Sequence, residues 1–242
     1  MKILVFQVKI DRGIYGYDKT DLNDVSCKVE ELLMPSVQKY CNRYGYDYAL
    51  FRKVPKELNV EWFKDEKYPE RNISSTLIRY FQMFNENYDA VVSLDNDIYI
   101  TPHAEPLPNI SGHMGVHDIL FNNSDYLQNF PSYYKKIDTS IGIINGGVQM
   151  ADCDTGLQIK KYIKSICENK TPPIQKYYSD QNYINYFRYK IPEKSKLLEN
   201  KWNFLVSRYK YDNLDGLNFV HYSGYYGRRI LYRDIQKGLI AL

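Results

Sequence analysis

The chain has 242 residues, enough for one large α/β domain with a full core, and a net charge of +3 from 32 basic and 29 acidic side chains. A balance this even excludes the strongly basic character of a nucleic-acid or membrane-surface protein, and no stretch approaches the roughly 20 apolar residues that would span a bilayer. Met1-Lys2 leads into an apolar run too short for a secretion signal, and Cys27, Cys41, Cys153 and Cys167 lie far apart without a Cys-x-x-Cys, so a soluble, cytoplasmic protein with reduced thiols is expected.

Residues 2–10, K-I-L-V-F-Q-V-K-I, read as a first strand buried at its centre. The turn-rich segment 11–23 follows, with Tyr15 and Tyr17. Open α/β sheets hold nucleotides beyond the carboxyl end of such a strand, and a tyrosine there can stack on a base; an ordinary surface loop has the same composition. From Asp24 or Ser26, the apolar residues Val25, Val29, Leu32, Leu33, Val37, Tyr40 and Cys41 recur at helical spacing. Pro35 predicts a kink or break, and Gly45 the end. Residues 47–52 read as a second strand, and the charged, aromatic segment 53–71 as a connection. A second amphipathic helix is expected from Asn72 to Asn87, with Ile73, Leu77, Ile78, Phe81 and Phe84 inward. Arg79 on that helix is either solvated or in contact with a bound phosphate or sugar.

Residues 89–100, D-A-V-V-S-L-D-N-D-I-Y-I, join the apolar, β-branched run of a doubly buried strand to two carboxylates. If the chain stays extended, Asp95 and Asp97 share one face and Asn96 takes the other. Like charges so close suppress each other's ionisation unless a cation lies between them, which suits half of a divalent-metal site; a solvated turn capped by Asx side chains is the plainer alternative.

Beyond residue 100, Gly115 to Asp118 suggests a short strand, and residues 121–136 an acceptor-facing excursion rich in aromatic, Asn, Ser and Pro residues. Residues 141–151, I-G-I-I-N-G-G-V-Q-M-A, place Asn145-Gly146-Gly147 inside a strand, where glycines mark a bulge or a close approach by another group. Asp154 is expected to cap a helix running to Asn169, with Leu157, Ile163, Ile166 and Cys167 inward, and Ser179-Asp180-Gln181 to open another running to Tyr189. In L-N-F-V-H-Y-S-G, residues 217–224, alternation sets His221 opposite Val220 and Tyr222, and a basic helix closes the chain from Arg228.

The order D-N-D, N-G-G-V, S-D-Q, H-Y-S-G resembles the GT-A glycosyltransferases that use nucleotide sugars, especially the glycogenin-like and bacterial galactosyltransferase type, and the small glycosyltransferase domains of large algal viruses. The resemblance implies a single α/β domain with a Rossmann-like, mixed but mainly parallel sheet flanked by helices. Its nucleotide-binding half would be residues 1–100 and its acceptor-side half residues 101–242. It makes Asp95 and Asp97 the D-x-D carboxylates and His221 the third protein ligand of Mn²⁺, or of Mg²⁺. Asp180 and Gln181 become the catalytic pair near the anomeric carbon. Gln7, Val8, Tyr15 and Tyr17 would lie along the donor nucleotide, with Arg79 and Asn96 beside it. Asn145 and Gly146 would lie against the donor sugar. Where the family often continues Lys-Pro-Trp after its histidine, this chain has Tyr225-Tyr226-Gly227-Arg228. Gly224 and Arg228 would then meet the diphosphate, a task suited to a guanidinium fork.

The implied activity is transfer of a sugar from a UDP-sugar to a glycan or glycoprotein. Negative charge grows on the leaving diphosphate and calls for a divalent cation; positive charge grows on the sugar ring and calls for a carboxylate such as Asp180. No candidate inverting base stands out, which favours retention of configuration. A sugar-phosphate nucleotidyltransferase would want a glycine-rich loop directly after the first strand, where only Gly13 and Gly16 occur. A non-catalytic carbohydrate- or protein-binding domain is the other alternative, with 25 tyrosines as stacking surface.

Overall fold

The first strand, β1 (Ile3–Val8), alternates its side chains between two cores: Leu4 and Phe6 on one face, Ile3 and Val5 on the other. In the computed structural model, which describes residues 1–9, 25–53, 55–58, 74–118, 141–169 and 179–240, β1 sits inside a six-stranded sheet. Its partners are β2 (Asp47–Phe51), β3 (Ala90–Leu94), β5 (His113–His117), β6 (Ile144–Asp152) and β7 (Ser195–Leu198), in the order β2-β1-β3-β6-β5-β7. The β1–β2, β1–β3 and β5–β7 pairings are parallel, while β6 runs antiparallel to both β3 and β5. This is the mixed α/β single domain that the sequence leads one to expect.

Helices cover both faces. On one side α2 (Ser74–Phe81), α3 (Cys153–Glu168) and α4 (Ser179–Lys190) bury Leu77, Ile78, Ile159, Ile163, Tyr183 and Ile184 against the sheet. On the other, α1 (Val25–Tyr44) presents Val37, Tyr40 and Cys41 to the same sheet. Val29 and Leu33, earlier in α1, pack instead against a second sheet formed by β4 (Ile98–Ile100), β9 (Phe219–His221) and β8 (Phe204–Leu205). The last helix, α5 (Gly224–Gln236), closes that third cluster through Leu231. No helix among the described residues is long and apolar enough to cross a membrane.

Several local expectations are corrected. Helix α1 is unbroken at Pro35, because that ring is exposed and both flanking turns are anchored in separate cores. The Ser36 hydroxyl donates to the Leu33 carbonyl at 2.6 Å just past the proline. Helix α2 ends at Phe81 rather than near Asn87, and turns carry the chain to β3. Helix α3 is capped by Asp152 and not Asp154: the Asp152 carboxylate accepts from the Thr155 amide at 2.8 Å, whereas Asp154 lies inside the first turn. Helix α5 starts at Gly224, before Arg228. Residues 95–97 do not extend β3; they form a turn between β3 and β4. The excursion at 121–136 lies outside the described residues.

Candidate metal and donor site

Strand β3 ends against Gly147 of β6, whose carbonyl accepts from the Asp95 amide at 2.8 Å. The end of β1 supports the same turn from the other side. Gln7, fully buried, donates through Nε2 to the Asp95 carbonyl at 3.0 Å and accepts from the Tyr48 hydroxyl at 2.8 Å. Asn96 donates to the Val8 carbonyl at 2.9 Å. Asp95 and Asp97 are thus brought to one side by the turn, not by strand alternation.

Strand β9 supplies the third group. Its antiparallel pairing with β4 sets His221 opposite Ile98, one residue from Asp97, and the Tyr222 amide donates to the Asp97 carbonyl at 3.0 Å. The ring is 2 % exposed, with Nε2 3.1 Å from an oxygen of Asp97 and 3.6 Å from one of Asp95. That nitrogen makes no hydrogen bond. Nδ1 lies 3.0 Å from Oδ1 of Asn203, and the Asn203 amide nitrogen in turn donates to Oδ1 of Asn145 at 3.0 Å. With its nitrogen so committed, Asn203 presents its oxygen to Nδ1–H, which leaves Nε2 facing the carboxylates. One ligand atom from each of the three side chains falls within 4.8 Å of the others. A buried, unbonded ring nitrogen aimed at two carboxylates fits a divalent cation, and this donor set of oxygens with one imidazole suits Mn²⁺ or Mg²⁺.

Charge at the site is mutually tuned. Burial disfavours the His221 imidazolium, but the carboxylates of Asp97 and Asp95 outweigh it and hold its pKa above the ordinary histidine value. Burial likewise opposes ionisation of Asp97; His221, aided by Arg228, reverses the effect and holds the carboxyl below its usual range. Arg79 is not solvated: it is 5 % exposed and pairs with Asp95 Oδ1.

The two glycines of β6 leave room that a side chain would take. A Cβ on Gly147 would sit 2.4 Å from the His221 ring, and one on Gly146 would sit 2.9 Å from the Arg79 guanidinium. Asn145 organises the surroundings: its Oδ1 also accepts from the Gly147 amide at 2.8 Å, and its Nδ2 donates to Asp118 at 3.2 Å. Asp118, 2 % exposed, also accepts from Gln181 Nε2 at 3.1 Å, while Gln181 Oε1 accepts from the Gly146 amide at 3.1 Å. A cleft of about 200 Å³ opens beside the carboxylates, lined by Val29, Asp95, Asn96, Asp97 and Arg228. Gly224 begins α5 in the left-handed region, φ +66°. Tyr15 and Tyr17 lie outside the described residues, as does the Asp180 side chain.

No protein-family model matches the sequence, and no curated protein matches it. Solved structures do. A glycosyltransferase involved in the glycosylation of the major capsid of PBCV-1 superposes with a TM-score of 0.58 at 17 % identity, covering 99 % of this chain and 100 % of its own. The galactosyltransferase LgtC, in complex with donor and acceptor sugar analogues, gives 0.55 at 11 % identity, covering 99 % of this chain and 97 % of its own. An active-site mutant of LgtC gives 0.54 at 11 % identity with the same coverage. The chain has a GT-A fold. Within that GT-A frame, Asp118 and Asn203 are the site residues that sequence reasoning missed. Asp118 did carry a signal, an acid just past a strand end; Asn203 follows a 3₁₀ turn, Asn200–Trp202, in a stretch without apolar period.

Proposed function

We propose that this GT-A protein is a metal-dependent glycosyltransferase that moves a sugar from a nucleotide-sugar donor, a UDP-sugar, to a glycan or glycoprotein, with retention of configuration. The convergence of Asp95, Asp97 and the unbonded Nε2 of buried His221 carries the proposal. Mn²⁺ or Mg²⁺ held there supplies Lewis-acid neutralisation of the leaving diphosphate.

The chain's own groups divide the remaining work. Arg228 lines the cleft beside the carboxylates, and its guanidinium is assigned to a diphosphate oxygen, a task its fork of donors suits. Asp180 is assigned to stabilise positive charge on the sugar ring. Gln181, fixed between the Gly146 amide and Asp118, is assigned to orient the sugar hydroxyls.

Calorimetric titration of UDP with and without Mn²⁺ tests the metal assignment. The native chain should bind in a Mn²⁺-dependent manner, and Asp97→Ala should abolish that dependence. Equal UDP affinity with and without Mn²⁺ in the native chain would reject the site. Hydrolysis of UDP-sugars followed by product analysis tests the chemistry: Asp180→Asn should keep donor binding and lose turnover, and normal turnover would reassign Asp180 to helix capping.

A further inference from the structure

A second and larger concavity lies on the other side of α5. It has a volume of about 620 Å³, within the range of about 300–1,000 Å³ usual for small-molecule sites. One wall is the segment that follows β8, residues 206–212; the other is a stripe along α5 and its C-cap at helical spacing, Tyr226, Ile230, Arg233 and Lys237. Arg228 faces the donor cleft instead, so a single helix serves both hollows.

Two features of the lining select an occupant. The first is aromatic: Tyr209 stacks on Phe204 with ring centroids 5.0 Å apart, Tyr211 stands edge-on to the same ring, and Tyr226 is 62 % exposed. Such faces suit the C–H surface of a sugar while leaving hydroxyls at the rim. The second is charge. Arg233 is committed to Asp234 through two hydrogen bonds, but Arg208, Lys210 and Lys237 are exposed and join no ion pair among the described residues. Asp212 is the single acid of the lining among the described residues. Uncommitted cations in a concave, ring-walled groove favour an anion over a neutral chain.

The groove and the donor site share two stretches of chain, α5 and the step from residue 203 to 204. Phe204, on which Tyr209 stacks, directly follows Asn203, the residue that holds the His221 ring.

We propose that this groove is a saccharide subsite for an acidic acceptor, a glycan bearing carboxylate, sulfate or phosphate groups, with the tyrosines stacking on its rings and Arg208, Lys210 and Lys237 meeting its charge. It rests on the glycosyltransferase function proposed above and extends it to the acceptor. The test is binding of the full chain to immobilised oligosaccharides in matched neutral, sialylated, uronic-acid, sulfated and phosphorylated forms, with phosphatidylglycerol and phosphatidylcholine vesicles in parallel. Some acidic glycans should be retained at least about tenfold better than their neutral counterparts. That preference should vanish in K210E/K237E and persist in K196E, a charge reversal on β7. Mn²⁺-dependent UDP binding, measured on the same samples, should be unchanged in both variants; its absence from the native chain would sink the donor site and leave the groove to be judged by its own result. Equal retention of neutral forms, retention of none, survival of the preference in K210E/K237E, or binding only to phosphatidylglycerol vesicles would each overturn the proposal.

Discussion

Asn203 touches no reacting atom in the proposed chemistry, yet it fixes which nitrogen of His221 faces the carboxylates. Asn203→Leu should therefore lower Mn²⁺ affinity about 10–100-fold with the fold retained, the usual scale for loss of a ligand's supporting hydrogen bond. Metal titration alongside a thermal melt checks this; unchanged affinity would free His221 from that control. Gly147→Ala is a harsher change, because the added methyl would sit 2.4 Å from Cε1 and Nδ1 of a buried ring whose Nδ1 is already bonded to Asn203. A loss of about 1–3 kcal/mol of stability is expected together with weaker Mn²⁺ binding. Asp95, Asp97 and His221 were legible in the sequence because each is a polar group at the end of an apolar run, where ligands collect. The relay from Asp118 through Asn145 and Asn203 was not, since amide side chains linked across β6, residue 203 and β9 share no spacing along the chain.

At the scale of elements, the strands and helices with long, regular apolar periods could be read, and errors gathered where a local rule competed with packing. Asp152 and Asp154 are both plausible caps by type, and only the close of β6 decides between them. Asp152 also accepts from the Gly112 amide at 2.5 Å, tying β5 to the start of α3. Asp152→Ala should therefore cost about 1–2 kcal/mol in a denaturant melt, at the upper end for a cap, and Asp154→Ala much less. Pro35 is the converse case, a residue whose rule predicts an interruption that tertiary contacts override. Since it is exposed, Pro35→Ala restores an amide without opening a cavity and should stabilise the chain by about 1–3 kcal/mol; a fall in the melting midpoint would show that the proline is needed for the path of α1.

For the molecule as a whole, the α/β class was legible and the second sheet was not. Strands β4, β8 and β9 span only two or three residues each, too few for alternation to show, and they exist because Ile98–Ile100 pairs with Phe219–His221 across the whole second half of the chain. Acid stability should be governed in part by a group far from the cleft. His113 is fully buried, donates through Nε2 to Gln149 at 2.9 Å, and is pushed down to about 3 by burial and by the nearby Arg188 charge. The unfolded chain protonates this ring first, near pH 6.5, so the stability its neutral form contributes is complete above about pH 6.5 and drains away as pH falls toward 3. Urea midpoints at pH 7 and pH 5 should converge in His113→Gln relative to the native chain; an identical pH slope would assign the loss to other groups.

Helix α5 turns Arg228 toward one hollow and the Tyr226–Ile230–Arg233–Lys237 stripe toward the other, so it is a partition with two tenants. Grafting this helix with its C-cap Lys237 onto a relative would transplant one wall of each hollow together, and changes on its opposite flanks would be inherited as a pair.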